Sequence, residues 1–369
     1  MADIEIGMGK SGRRSFSLDQ LALLPSKRTR DADLIDLSWQ IDAYSLDLPI
    51  MSAAMDSVTS PETCIALDKM GCLGVLDLEG VWTRHADPDS LLADLAEMDH
   101  DAALVRLREL YAAPVDPDLV TQRIRELRAA GAYAAGAVSP RRVASLAKTL
   151  LSAELDLLVI EGTVISAEHV SSKDAPLNLK QFVRELETPV VVGGCASYSA
   201  ALHLMRTGAA GVLVGIDGGR SATSSSVTGV GSGLATALAD VRAARMRHLD
   251  ETGVYVHVIA DGGVRSGGDI AKAVACGADA VVLGTTLASA DEAPGRGWHW
   301  GRSTVHPELP QARLLEVDPI GPLEMVLNGP AVSADGRANV AGALRQSMAT
   351  LGYESIKDLQ KAELVVLAP

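Results

Sequence analysis

The sequence predicts an α/β protein, a single (β/α)8 barrel, on three observations. Eight short apolar runs recur from residue 48 onward, helical patterns or long loops separate them, and glycines cluster where the runs end. Continuous apolar runs are strands buried on both faces, as in a parallel sheet covered by helices. Eight is the number that closes such a sheet into a barrel. A doubly wound open sheet is the alternative, and the uniformity of the repeats favours the barrel. The length of 369 residues suits one such barrel, and 47% hydrophobic with 22% charged residues is a globular balance. With only 3% aromatic residues, Val, Leu, Ile and Ala must fill the core.

In chain order, residues 1–47 form an N-terminal arm. The strands fall at 48–55, 73–78, 133–138, 155–161, 188–194, 210–216, 256–262 and 280–284, and they define a barrel core over 48–289. A helix is expected from about Ser60 to Met70, a long charged helical stretch follows the second strand, and a helix starts near Arg141. Residues 290–340, rich in Pro, Gly and Arg, read as a flap-like excursion over one face, and 341–369 as a C-terminal helix and tail.

Forty-seven acidic against 33 basic side chains give a net charge of −14. A surface this acidic repels a phosphate backbone, which argues against general nucleic-acid binding but not against a local phosphate site made of backbone N–H groups. No run of roughly 18 apolar residues suggests a membrane span, and the N-terminus carries no apolar signal core. Cys64, Cys72, Cys195 and Cys276 show no metal-ligand spacing, so no metal is expected and a reduced, cytoplasmic protein fits them.

Function in such a barrel sits at the C-terminal ends of the strands. Asp261-Gly262-Gly263 follows the seventh strand, and Gly284-Thr285-Thr286 follows the eighth and opens a helical turn. Both fit a phosphate site of backbone N–H groups, the bland alternative being tight turns. Asp261, an acceptor, suits a pair of ribose hydroxyls. After the sixth strand, residues 217–231 carry glycines and hydroxyls, as a mobile active-site loop or a disordered surface loop.

These segments carry a resemblance. Met51-Ser-Ala-Ala-Met-Asp-Ser-Val-Thr59, the stretches 258–273 and 277–284, and Thr228-Gly-Val-Gly231 are similar to motifs of the IMP dehydrogenase/GMP reductase family, in order, over about residues 17–359. The chain looks most like the IMP dehydrogenase-related bacterial paralogues, because the segment after the second strand is too short for the family's paired regulatory (CBS) domain. The resemblance implies a barrel that forms a homo-oligomer (tetramer or octamer), a purine nucleoside monophosphate as ligand, and NAD or NADP as hydride partner. It implies Asp261 for the ribose; Gly219, Arg220, Ser221, Gly262, Gly263, Gly284 and Thr285 for the nucleotide and its phosphate; and Ser52 and Met55 for the base. It further implies a monovalent cation at the 217–222 loop.

The family pattern also breaks. An ungapped alignment puts Ala222 where the family has its nucleophilic cysteine, so the covalent step has no thiolate at that position. Ser224 keeps a hydroxyl where a family threonine aids proton transfer. Arg220, replacing a serine, either binds phosphate or pairs with Asp217. Glu161 and Gly194 stand where the family holds the nicotinamide with an aspartate and an asparagine. The flap reads Gly295-Arg-Gly-Trp-His-Trp-Gly-Arg302, without the family's Arg-Tyr pair. Its tryptophans suggest either a cover over an aromatic ligand or an anchor in a subunit interface, and His299 either a general base or a structural residue. Cys195 is either a displaced nucleophile or a buried thiol. Three functions follow: an altered purine-nucleotide oxidoreductase, an inactive regulatory paralogue partnering a true IMP dehydrogenase, or a barrel acting non-covalently on another phosphorylated ligand.

Overall fold

The structure is a computed structural model that describes residues 3–167, 178–216, 218–302 and 313–367. The eight barrel strands are β1 (Ile50–Ser52), β2 (Val75–Asp77), β3 (Ala135–Val138), β4 (Leu157–Glu161), β5 (Val190–Cys195), β6 (Gly211–Val214), β7 (His257–Asp261) and β8 (Ala280–Leu283). Each pairs in parallel with its sequence neighbour from β2 to β8, and β8 pairs with β1. A bridge between Met51 and Leu73 brings β1 onto the entry to β2 and closes the barrel. The expected fold is therefore present.

The period of two in each strand divides the apolar residues between two cores. Ile50, Leu158, Val192, Val212 and Val258 face the outer helices. Met51, Val75, Val159, Leu213 and Ile259 fill the interior. Gly193 makes room for that packing, since a Cβ there would stand 2.4 Å from the Leu213 Cβ.

Local sequence sets the helix starts. Ser60 caps α1 (Pro61–Lys69), its Oγ accepting the Thr63 N–H at 3.1 Å. Asp87, Asp99 and Asp116 cap α2 (Pro88–Ala96), α3 (His100–Ala112) and α4 (Pro117–Ala129), the three helices between β2 and β3. Prolines at the first helical position lose no hydrogen bond. The first strand is shorter than the expected 48–55. From Ala53 the chain turns, and the Met55 carbonyl accepts the N–H groups of Val58 and Thr59.

The N-terminal arm closes the bottom of the barrel. Trp39–Ile41 and Tyr44–Leu46 form an antiparallel hairpin. Its Trp39, Ile41 and Leu46 join the interior core. The Trp39 indole N–H donates to His257 Nδ1 at 3.2 Å, at the start of β7. Farther out, Leu21–Leu24 pairs with Glu363–Val366, tying the two ends of the chain together. Among the described residues no helix is long and apolar enough to cross a membrane. Trp39→Ala is expected to cost about 3–5 kcal/mol of unfolding free energy in chemical denaturation, because the hole opens into a core that collapses only partly; a loss below about 1 kcal/mol would show that the hairpin does not plug the barrel.

Candidate functional site

At the C-terminal mouth the loops after β6 and β7 lie backbone against backbone. A Cβ on Gly215 (φ +148) would stand 1.9 Å from the Asp261 carbonyl oxygen, and one on Gly218 2.7 Å from the Gly262 carbonyl carbon. Gly262 (φ +90) and Gly263 (φ +75) have left-handed backbones, which only glycine adopts without strain. β8 leads into Gly284 and the helical turn Thr285–Ala288. A Cβ on Gly284 would make only an ordinary contact, 3.5 Å from Ala53, so sterics do not demand glycine there.

Inside this rim, Ser52, Glu161 and Asp261 line a cavity of about 10 Å³. That is room for about one water, so a larger ligand must lie over the mouth. Burial, and then the neighbouring Glu161 charge, push the Asp261 carboxyl up to about 7. Ser52 is already engaged, its Oγ accepting the Val75 N–H at 2.8 Å. It therefore holds β1 to β2, and its own O–H remains available at the cavity. Met55 is half-buried beside it.

The rim above β2 and β4 is occupied by the flap. The Arg302 guanidinium, 7% exposed, donates to Asp77 at 2.9 Å and lies 3.4 Å from Glu161 and 3.5 Å from Glu79. Burial pushes Asp77 up to about 8 against the pull of this arginine. Next to it, Asp56 accepts the Val81 N–H at 2.9 Å and the Tyr111 hydroxyl, and the Trp300 indole donates to that hydroxyl at 3.0 Å. Burial holds Asp56 at about 6. Gly194, on the same rim, packs tightly; a Cβ would stand 2.6 Å from the Gly215 carbonyl. Glu161, expected near a nicotinamide, is instead a partner of Arg302 here, 3.4 Å away.

The Trp-His-Trp segment is not a free cover. Trp298 and Trp300 are buried in the chain's own outer core. That corrects both expectations, the ligand cover and the subunit-interface anchor: the anchor lies within the chain itself. His299 is buried between Ser57 (3.0 Å) and Thr285 (3.2 Å), and burial followed by the Arg220 cation pushes it down to about 4. It is a neutral structural group, not a general base working near neutrality.

No thiol is poised for attack. Burial pushes Cys195 and Cys276 up to about 12 and raises Cys64 and Cys72 further. Cys195 is buried, with Sγ donating to the Leu213 carbonyl at 3.4 Å, so it is not a displaced nucleophile. The Ala222 N–H donates to the Gly219 carbonyl at 3.2 Å. Ser221 and Ser224 are buried, and Gly219 and Arg220 are exposed. Ser224 opens a short helix, Ser224–Thr228. Asp217 lies outside the described residues, and with it one end of the expected cation loop and the Arg220–Asp217 pairing. Sequence reasoning missed Arg302, Tyr111 and the Trp39 plug. Acidic residues at the tips of β2 and β4 were the available signal for a buried cation.

These features define a (β/α)8 barrel with its polar site at the C-terminal strand ends. A family model described as the IMP dehydrogenase / GMP reductase domain matches residues 15–304, and the chain belongs to that family. An IMP dehydrogenase/GMP reductase-like protein from Corynebacterium glutamicum superposes with a TM-score of 0.92 at 46% identity, over 99% of this chain and 97% of that one. An uncharacterized oxidoreductase of Mycolicibacterium smegmatis is 48% identical over 98% of this chain and 99% of its own. The inosine-5'-monophosphate dehydrogenase of Methanocaldococcus jannaschii is 28% identical over 77% of this chain and 74% of its own.

The raised carboxyls set a pH dependence. Asp261 holds its proton up to about 7 in the folded chain, against roughly 3.9 for an unfolded aspartate. Its contribution to stability is therefore complete below about 4 and is lost as pH rises toward 7 and beyond. Asp261→Asn should be more stable than the parent at pH 8, by at least about 1 kcal/mol, and nearly equal at pH 4. Denaturant melts at both values check this, and a variant less stable at pH 8 would contradict the burial and Glu161 repulsion described.

Proposed function

We propose that this chain binds a purine nucleoside monophosphate across the mouth, over the loops after β6, β7 and β8, and performs no thiol chemistry on it. The observation that carries the reading is the position of Asp261: an acceptor at the tip of β7, followed by the Gly262-Gly263 turn stacked on Gly218. The ribose hydroxyls would donate to Asp261. The phosphate would meet the backbone N–H groups near Gly263 and Gly284, with Thr285 and the exposed Arg220 beside them. Arg220 is close enough to depress His299, which itself touches Thr285. The base would lie over Met55. Family membership supports the ligand class.

The chemistry is the point of departure. With alanine at 222 and every cysteine buried, no thiolate forms a bond to a purine carbon. The NAD(P) expectation gains nothing from residues that hold Arg302 instead. Ala222 also favours a second reading, an inactive paralogue that regulates a true IMP dehydrogenase; added protein changing that enzyme's rate would distinguish it.

At pH 8, where the Asp261 carboxyl is mostly ionised, Asp261→Ala should weaken IMP binding by about 1.5–3 kcal/mol in calorimetry, the worth of hydrogen bonds to a charged acceptor; unchanged affinity would refute the ribose assignment. Intact-protein mass spectrometry after incubation with IMP and NAD should show only the bare chain, and an adduct on any cysteine would overturn the non-covalent reading. Ala222→Cys should restore at most a slow adduct, mapping to position 222.

A further inference from the structure

At the opposite end of the barrel from the mouth, a cavity of about 320 Å³ opens beside the Trp39 hairpin. It lies at the N-terminal ends of β5, β6 and β7, and its wall includes Asp42 of the hairpin turn and Glu187 ahead of β5. Val183, Leu186, Val190 and Val254 supply apolar surface. The volume is that of a small-molecule site, whereas the cavity inside the mouth has room for about one water.

A hydrogen bond behind the wall fixes what His257 presents to this cavity. The Trp39 indole N–H can only donate, and it donates to His257 Nδ1 at 3.2 Å. Nδ1 therefore carries no hydrogen. Burial pushes the imidazole below its ordinary pKa, so the ring is neutral near pH 7 with its proton on Nε2. Edge contacts from Trp39 and Tyr255, with ring centroids 5.9 and 5.2 Å away, hold the ring in place. Nε2 has no hydrogen-bond partner among the described residues, and it is not among the unpartnered atoms sealed from solvent. This N–H is thus an unspent donor on a residue that lines the cavity. The lining also carries two exposed carboxylates, Asp42 and Glu187, and no lysine or arginine. The cations that bear on His257 are engaged elsewhere: Arg245 lies 2.7 Å from Asp279, and the Lys357 ammonium stands 3.9 Å from the centre of the Tyr255 ring. An anion finds no counter-charge on this wall, and a cation finds two.

We propose that this cavity is a second binding site, separate from the mouth, for a small organic cation: a primary amine on an apolar body that also carries an acceptor oxygen. The ammonium would face Asp42 and Glu187, the oxygen would accept the His257 Nε2–H, and the body would lie on Val183, Leu186 and Val254. The site asks nothing of the nucleotide at the mouth and stands or falls without it.

The test titrates L-leucinamide and L-phenylalaninamide into the protein near pH 7, where an α-amine is mostly protonated. The readout is the indole N–H resonance of Trp39, one of four tryptophans in the chain, because that N–H bonds the ring in question. Both amides should shift it, saturating with dissociation constants of about 1 mM or tighter. Acetylating the amine should weaken binding about fivefold or more. Removing the oxygen, as in isoamylamine and phenethylamine, should weaken it about threefold or more. Asp42→Asn with Glu187→Gln should erase the first difference, and His257→Phe the second. Since His257→Phe also takes the acceptor from Trp39, Val254→Arg at an exposed position gives an independent check: its cation should weaken both amides about tenfold. No saturable shift with either amide would overturn the proposal. So would acetylated or oxygen-free ligands that bind as tightly as the amides, a preference for the free amine that survives loss of both carboxylates, or unchanged binding to Val254→Arg.

Discussion

Backbone crowding between the ends of β6 and β7 is the constraint on which the mouth depends. Gly215 lies so close to the Asp261 carbonyl, and Gly218 to Gly262, that no side chain fits at either place. This crowding aligns two loops as one polar ledge and leaves Asp261 at its edge. Substituting either glycine would push the loops apart and displace the acceptor and the turn together, with strain added at Gly215 by its positive φ. The glycines that looked like simple turn residues in the sequence are therefore parts of one packed surface.

Electrostatics then divides the mouth into two halves. On the β7–β8 side, glycine turns, a threonine and the Arg220 cation face outward, a setting that favours an anion. On the β2–β4 side, Asp77, Glu79 and Glu161 surround Arg302, drawn in from the flap. Removing that arginine alone would leave the half-buried Glu79 and Glu161 beside the buried Asp77 with no compensating cation, which costs more than losing a surface pair. The flap is thus seated at two points, by Arg302 among carboxylates and by Trp300 and His299 against Tyr111, Ser57 and Thr285. In this chain position 222 carries no thiol and the rim over β2 and β4 is occupied by Arg302.

The barrel was legible because its strands are apolar runs with glycine at their ends, a local signal that survives without knowledge of contacts. All eight strands fall within the expected runs apart from Cys195, one residue beyond 188–194. The first was over-extended because Ala53, Ala54 and Met55 read as strand although they leave the sheet and lead into a turn closed on the Met55 carbonyl. Gly194 and Glu161 were legible as strand-end residues, but the partner of Glu161 was not. Arg302 meets Asp77 across 225 positions of sequence, and no periodicity reports such a pairing. The tryptophans of the flap suggested a ligand cover because aromatic residues serve both cores and ligands; only their burial distinguishes the two. The Trp39 plug went unread because three-residue strands carry too little pattern.

The account's central claim is a nucleotide held at the mouth without a covalent bond. The most direct measurement is a crystal structure of the protein with IMP bound. The account predicts the ribose against Asp261, the phosphate at the Gly263 and Gly284–Thr285 turns, and no bond from any cysteine sulfur to the purine. A nucleotide bound elsewhere on the chain, or a sulfur–carbon bond to the base, would contradict it.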